Sequence, residues 1–154
     1  AGSKPACPVS IPIPGPRDLS QSRPPFHSVL RKSALFLLAC RRADIALRRQ
    51  SFETVVSDVE IRKRRGRADS PAPGRAVRLA AVFDALRPIY PRPYLCTFDS
   101  LALVHFLAYH RLHARWVFGV RADPFYAHCW VQYGDTLLND AVERVLPLTP
   151  IMAV

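Results

Sequence analysis

Phe125-Tyr126-Ala127-His128-Cys129-Trp130-Val131-Gln132 lies between the turn signal Ala122-Asp123-Pro124 and the pair Gly134-Asp135. Bounded in this way, the run predicts a strand. Its side chains then alternate, with Tyr126, His128, Trp130 and Gln132 on one face and Ala127, Cys129 and Val131 on the other. Upstream, Ala114 to Val120 predicts a second strand with Ala114, Trp116, Phe118 and Val120 on a common face. Two strands joined by a short turn make the core of an antiparallel sheet, and His128 sits on it next to Trp130.

Downstream of the histidine is an acid, Asp140, and hairpin register decides whether the two meet. A two-residue loop at Gly134-Asp135 pairs Tyr133 with Thr136 and sets Asp140 opposite Cys129, on the wrong face. A three-residue loop, Tyr133-Gly134-Asp135, pairs Gln132 with Thr136, Trp130 with Leu138 and His128 with Asp140. We take the longer loop, because Gly134 or Asp135 can hold the αL position beside a bulge at little cost. An aspartate directly across from a histidine can accept its Nδ1–H and stabilise the imidazolium. The competing readings are a turn or cap residue for Asp140 and a satisfied interior histidine for His128.

Upstream of both strands, Cys96 opens the apolar stretch Leu101-Ala102-Leu103-Val104-His105-Phe106-Leu107-Ala108, which is long enough for a buried helix. Its sulfur therefore belongs at a helix N-terminus, where unpaired N–H groups and the macrodipole favour the thiolate. Against this stands the ordinary buried, inert cysteine.

Taken in order, Cys96 with Ser100-Leu101-Ala102-Leu103, then Val117-Phe118-Gly119-Val120-Arg121, then Ala127-His128-Cys129-Trp130-Val131, then Asn139-Asp140, resemble the leader peptidases of lasso-peptide biosynthesis, often called B2 proteins. Those belong to the transglutaminase-like branch of papain-fold cysteine hydrolases. The likeness runs from about Tyr94 to Val154 and rests on the ordered set rather than on any single motif. It implies an α+β fold in which amino-terminal helices and a central helix bearing the cysteine pack on a small antiparallel sheet. It also implies that Cys96 is the nucleophile, His128 the general base and acid, and Asp140 the residue that orients the histidine. Two positions depart from the pattern. The family usually writes Ala-His-Ala-Trp where this chain has Cys129 in third place, and strand alternation is expected to turn that thiol away from the triad. The family also tends to have glycine at the helix exit, where this chain reads His110-Arg111-Leu112, so Arg111 is the residue that would need φ > 0.

The remainder of the chain is read more coarsely. With 154 residues and 49% hydrophobic content, the length suits one compact domain. Residues 1–25 hold Pro5, Pro8, Pro12, Pro14, Pro16, Pro24 and Pro25 and predict an extended tail or linker; residues 26–154 form the expected peptidase domain. Helices are expected from about His27 to Gln50, from an N-cap at Ser51 to about Val59, and from about Arg75 to Arg87, with Arg62 to Pro71 a basic loop. Cys7, Cys40, Cys96 and Cys129 show no metal-ligand spacing and no disulfide framework, which fits a reducing, cytoplasmic setting. No apolar run reaches the roughly 18 residues of a membrane span, and the amino end lacks the h-region of a secretory signal. Gly-rich phosphate loops are absent, so no cofactor is expected.

The net charge of +10 raises a nucleic-acid reading. The basic run lacks interleaved aromatic platforms and a reader helix, so it reads as a solvated surface, or as one that attracts an acidic leader or partner. The expected reaction is hydrolysis of the leader from a ribosomally made lasso precursor, which frees the core for a separate ATP-consuming cyclase. By resemblance, the leader would be delivered by a small recognition (B1-type) protein. Trp130, beside His128, is a candidate substrate-binding wall, with simple core packing as the competing reading. Two other functions stay open: acyl transfer to an amine, as in transglutaminases, and non-catalytic peptide binding by a fold that has kept the triad residues.

Overall fold

A computed structural model describes residue 15, residues 26–66 and residues 73–154. The predicted proline-rich tail, residues 1–25, lies outside the described residues apart from Gly15, whose backbone bridges to Thr136 in parallel.

Four helices precede the sheet: α1 (Phe26–Arg49), α2 (Phe52–Arg65), α3 (Pro73–Leu86) and α4 (Cys96–Tyr109), with a 3-10 turn at Arg87–Ile89. Ser51 caps α2, its hydroxyl accepting from Thr54 N at 3.3 Å. The helix then continues to Arg65, beyond the expected end near Val59, so Arg62, Lys63, Arg64 and Arg65 form its last turn rather than a loop. Cations at a helix C-terminus face the negative end of the macrodipole, which is why a basic run can extend the helix instead of breaking it.

Strands β1 (Arg115–Arg121), β2 (Tyr126–Tyr133), β3 (Thr136–Leu137) and β4 (Thr149–Ala153) form an antiparallel sheet in the order β3-β2-β1-β4, with a short helix α5 (Val142–Val145) before β4. The fold is thus α+β, as the resemblance implied.

Helix α4 is the centre of the molecule. Phe98, Leu101, Ala102, Leu103, Phe106 and Leu107 are fully buried, and a helix apolar on every side must be enclosed on every side. Helices α1 and α3 cover it from one side and the sheet face bearing Trp116, Cys129 and Val131 covers it from the other. The opposite sheet face makes a smaller core from Val117, Trp130, Leu137, Val145 and Leu148. Gly119 permits this second core, since a Cβ there would lie 2.9 Å from the Trp130 ring.

The hairpin differs from the expected register. Tyr133 pairs with Thr136 and Gln132 with Leu137, so the loop is the two-residue Gly134-Asp135 turn. Gly134 takes φ 61°, and a left-handed glycine at the first central position suits the tight turns whose twist matches that of the strands.

Candidate active site

A cleft of about 260 Å³ opens between the head of α4, the 3-10 turn and the end of the β2-β3 hairpin. Cys96, His128 and Asp140 all line it. Cys96 is the first residue of α4, as expected, with Leu95 as N-cap.

In the observed register, Asp140 should fall opposite Cys129. It does not, because β3 ends at Leu137 and residues 138–140 bend out of the ladder. Leu138 N still donates to Val131 O at 2.9 Å, but the return bond is made by the Asn139 side chain, whose Oδ1 accepts from Val131 N at 2.7 Å. Asn139 Nδ2 in turn donates to Ser100 Oγ at 2.9 Å, and Ser100 Oγ donates to the Cys129 carbonyl at 3.3 Å. This buried polar chain ties α4, β2 and the bend together, and it delivers Asp140 to the histidine.

Asp140 Oδ2 bonds His128 Nε2, not the expected Nδ1. That leaves Nδ1 as the ring nitrogen for the sulfur of Cys96, with which the ring also hydrogen-bonds. The reason is reach: Asp140 arrives from the bend rather than from directly across the ladder. Asp140 also accepts from Ala141 N at 2.8 Å and lies 3.5 Å from the Arg144 guanidinium.

The electrostatics follow from these contacts. The Asp140 bond, then the Cys96 bond, raise His128 to about 9 against the opposing effect of burial. The thiol of Cys129, then His128, lower Cys96 to about 3, with the backbone N–H of Cys129 and the Thr97 hydroxyl adding to them. Burial acts to raise Asp140, but the His128 bond, the Ala141 N–H and the Arg144 charge hold it below the usual carboxylate range. A thiolate and an imidazolium therefore coexist between these limits, the form in which sulfur attacks carbonyls and the ring can donate a proton.

Two expectations need correction. Cys129 does not turn away from the site. Helix α4 packs on the face of β2 that carries Cys129 and Val131, so the residue that alternates away from His128 alternates toward the helix bearing Cys96. Trp130, expected as a cleft wall, is 2% exposed in the smaller core, and its indole N–H donates to Gln132 Oε1 at 3.3 Å. It packs the sheet rather than lining the cleft.

Arg87 is a site residue that sequence reasoning missed. Its guanidinium is buried and ion-pairs with Asp99, while its Nη atoms donate to the carbonyls of Tyr90 (3.3 Å), Arg92 (3.1 Å) and Pro93 (3.1 Å). Asp99 Oδ2 accepts from Leu95 N at 2.8 Å, so one ion pair fixes both the loop before Cys96 and the first turn of α4. The only signal was an arginine beside a proline at the end of an apolar helix, which is not specific. A separate groove of about 300 Å³ between α1, α2 and α4, lined by Arg41, Arg42, Ile45 and His105, carries no thiol. Chemistry therefore assigns the site to the smaller cleft.

An α+β fold with a cysteine at the head of the central helix and a histidine on the adjoining antiparallel sheet is consistent with the transglutaminase-like fold class. The chain belongs to the Transglutaminase-like superfamily, whose family profile matches residues 37–153. It is also similar to the Microcin J25-processing protein McjB of Escherichia coli, with 44% identity over 46 residues, which is 30% of this chain and 22% of that protein. The matched stretch thus spans less than a quarter of that relative. No solved structure matches the chain.

Proposed function

We propose that this chain is a cysteine peptidase that removes the leader from a ribosomally made lasso-peptide precursor. One observation carries the reading: a depressed Cys96 thiol bonded to an imidazole whose other nitrogen is held by Asp140. The likeness to a protein named for microcin J25 processing supplies the substrate class.

In this reading the Cys96 thiolate attacks the carbonyl at the leader-core junction, forming a C–S bond and a tetrahedral oxyanion next to the N-terminus of α4. His128 gives its proton to the departing amine as the C–N bond breaks. Neutral His128 then takes a proton from water, whose oxygen displaces Cys96 and releases the leader acid. Tyr94 and Leu95, both largely exposed at the cleft, offer an apolar surface for an extended peptide. Partners in this reading are the precursor leader, a B1-type recognition protein that binds it as an added strand, and the cyclase that uses the freed amine. A reducing cytoplasmic setting belongs to the same reading, supported by the unpaired Cys40, Cys96 and Cys129.

The test is mass spectrometry of the precursor incubated with this protein and its recognition partner. Wild type is expected to release the core, and Cys96→Ala and His128→Ala to leave the precursor intact; cleavage by Cys96→Ala rejects the nucleophile. Adding a primary amine separates the transglutaminase-like alternative, which predicts an amine adduct on the leader instead of the free acid.

A further inference from the structure

Gly119 stands opposite His128 in the β1-β2 ladder, so the imidazole has no directly opposed side chain. Its neighbours on the same face of β2 are Trp130 and Tyr126, two positions away on either side. Trp130 leans over Gly119 into the smaller core. Tyr126 instead stacks on the imidazole, with ring centroids 5.9 Å apart and planes 21° from parallel, within the range of offset aromatic pairs. Tyr126 is 40% exposed and the His128 side chain 8%, so the phenol ring lies on the outer side of the imidazole. Across the ladder, Arg121 pairs with Tyr126 and carries its guanidinium 5.9 Å from the centroid of the same ring. One aromatic ring therefore meets a group that is always charged and a second that is charged only while it holds the catalytic proton.

We propose that Tyr126 is a positioning residue for His128: its ring fixes the plane of the imidazole, so that one nitrogen meets Asp140 while the other faces Cys96, and its electron-rich face stabilises the imidazolium. This rests on reading His128 as the group that protonates the departing amine. An aromatic face attracts a cation within about 6 Å of its centroid and has no such attraction for the neutral ring. The preference acts in the same direction as the Asp140 and Cys96 bonds that raise His128 to about 9. The charged or titratable groups around His128 are Cys96 on α4, Cys129 on β2, Asp140 in the bend, Arg144 on α5, Asp84 on α3 and the Arg87–Asp99 pair, with Arg121 on β1 beyond the tyrosine. Replacing Tyr126 leaves all of them in place.

A proton NMR titration of the His128 Cε1–H from about pH 6 to about pH 11, assigned by its absence from His128→Ala, reads the effect without any peptide substrate. Tyr126→Leu keeps an apolar cover and deletes the π face; it is expected to lower the His128 midpoint by about half a pH unit. Tyr126→Phe, which restores the face, is expected to return it to within about 0.2 units of wild type. Pentafluorophenylalanine at this position keeps the shape of the ring and reverses the sign of its face, so it is expected to lower the midpoint at least as far as leucine, and it gives the reading should Tyr126→Leu fail to fold. A packing role alone predicts the wild-type midpoint with the fluorinated ring. An unmoved midpoint in either the leucine or the fluorinated variant, or equal shifts in leucine and phenylalanine, overturns the proposal. Absence of precursor cleavage by wild type, with these shifts as expected, would remove the peptidase reading alone; cleavage with an unmoved midpoint would remove only this one.

Discussion

His128 stands between two partners, and each half of its environment makes a separate prediction. The imidazolium persists up to about 9 because Asp140 binds Nε2, and the thiolate persists down to about 3, so kcat/KM for peptide cleavage is expected to be bell-shaped with limbs near those values. Asp140→Asn removes the largest cause of the raised histidine. Its alkaline limb is expected to move from about 9 toward the ordinary 6.5, with kcat lower by about 100-fold or more. An unchanged alkaline limb in a pH profile of this variant contradicts the role given to Asp140. These residues were legible in the sequence because residue type and order carry chemistry. The nitrogen that meets Asp140 was not legible, since it depends on a bend that no side-chain period encodes. Cys129 was misread for a related reason: alternation gives the face of a strand, but not which helix covers that face.

At the level of elements, two local structures set the geometry. Helix α4 ends in a Schellman motif, with Arg111 N donating to Ala108 O at 2.9 Å and Leu112 N to Leu107 O at 3.0 Å. Arg111 holds φ 59° at the position glycine would favour, as the sequence departure implied. Arg111→Gly relieves that conformation but adds freedom to the unfolded chain; the expected net gain is about 0.5 kcal/mol, read as a raised midpoint in chemical denaturation. The hairpin end behaves differently, because it depends on one side chain. Asn139→Ala leaves the Val131 N–H without its acceptor and takes one donor from Ser100 Oγ, which keeps its own bond to the Cys129 carbonyl, at an expected cost of about 1–3 kcal/mol. It is also expected to slow cleavage at pH 7, because the bend carries Asp140; a stability loss with unchanged kcat would detach Asn139 from the site. Periodicity located α1, α3, α4, β1 and β2 to within a few residues. It failed at the turn, where a glycine and an aspartate fit both loop lengths, and at the end of α2, where basic residues compatible with a loop extend the helix.

Across the whole molecule, protons link stability to pH. Burial, then Arg42, lower His105 to about 4, so the folded chain keeps this ring neutral where an unfolded chain would charge it below about 6.5. The Cys96–His128 pair adds to the same trend. Between about 3 and 9 the folded pair holds one proton, whereas below about 6.5 the unfolded thiol and imidazole hold two. Stability is therefore expected to fall as pH drops from 6.5 toward 4, by up to about 1.4 kcal/mol per pH unit for each extra proton taken up by the unfolded state. Urea titrations at stepped pH read this directly; stability that rises on acidification contradicts the burial of His105 and the charge state of the pair together. Among the described residues no helix is long and apolar enough to cross a membrane. Fold class was legible at this scale because the enclosed α4 and the alternating strands allow few other packings. The Arg87–Asp99 pair was not, because partners 12 positions apart on different elements leave no local mark.

The central claim is that Cys96 carries the leader as a thioester between attack and hydrolysis. Acid-quenching the reaction of precursor, recognition partner and this protein within the first turnover, then mapping the protein by mass spectrometry, tests it most directly. The expected result is a Cys96-containing peptide heavier by the leader acyl group, absent from Cys96→Ala. Core release with that acyl group on Cys129, or on no cysteine at all, would contradict it.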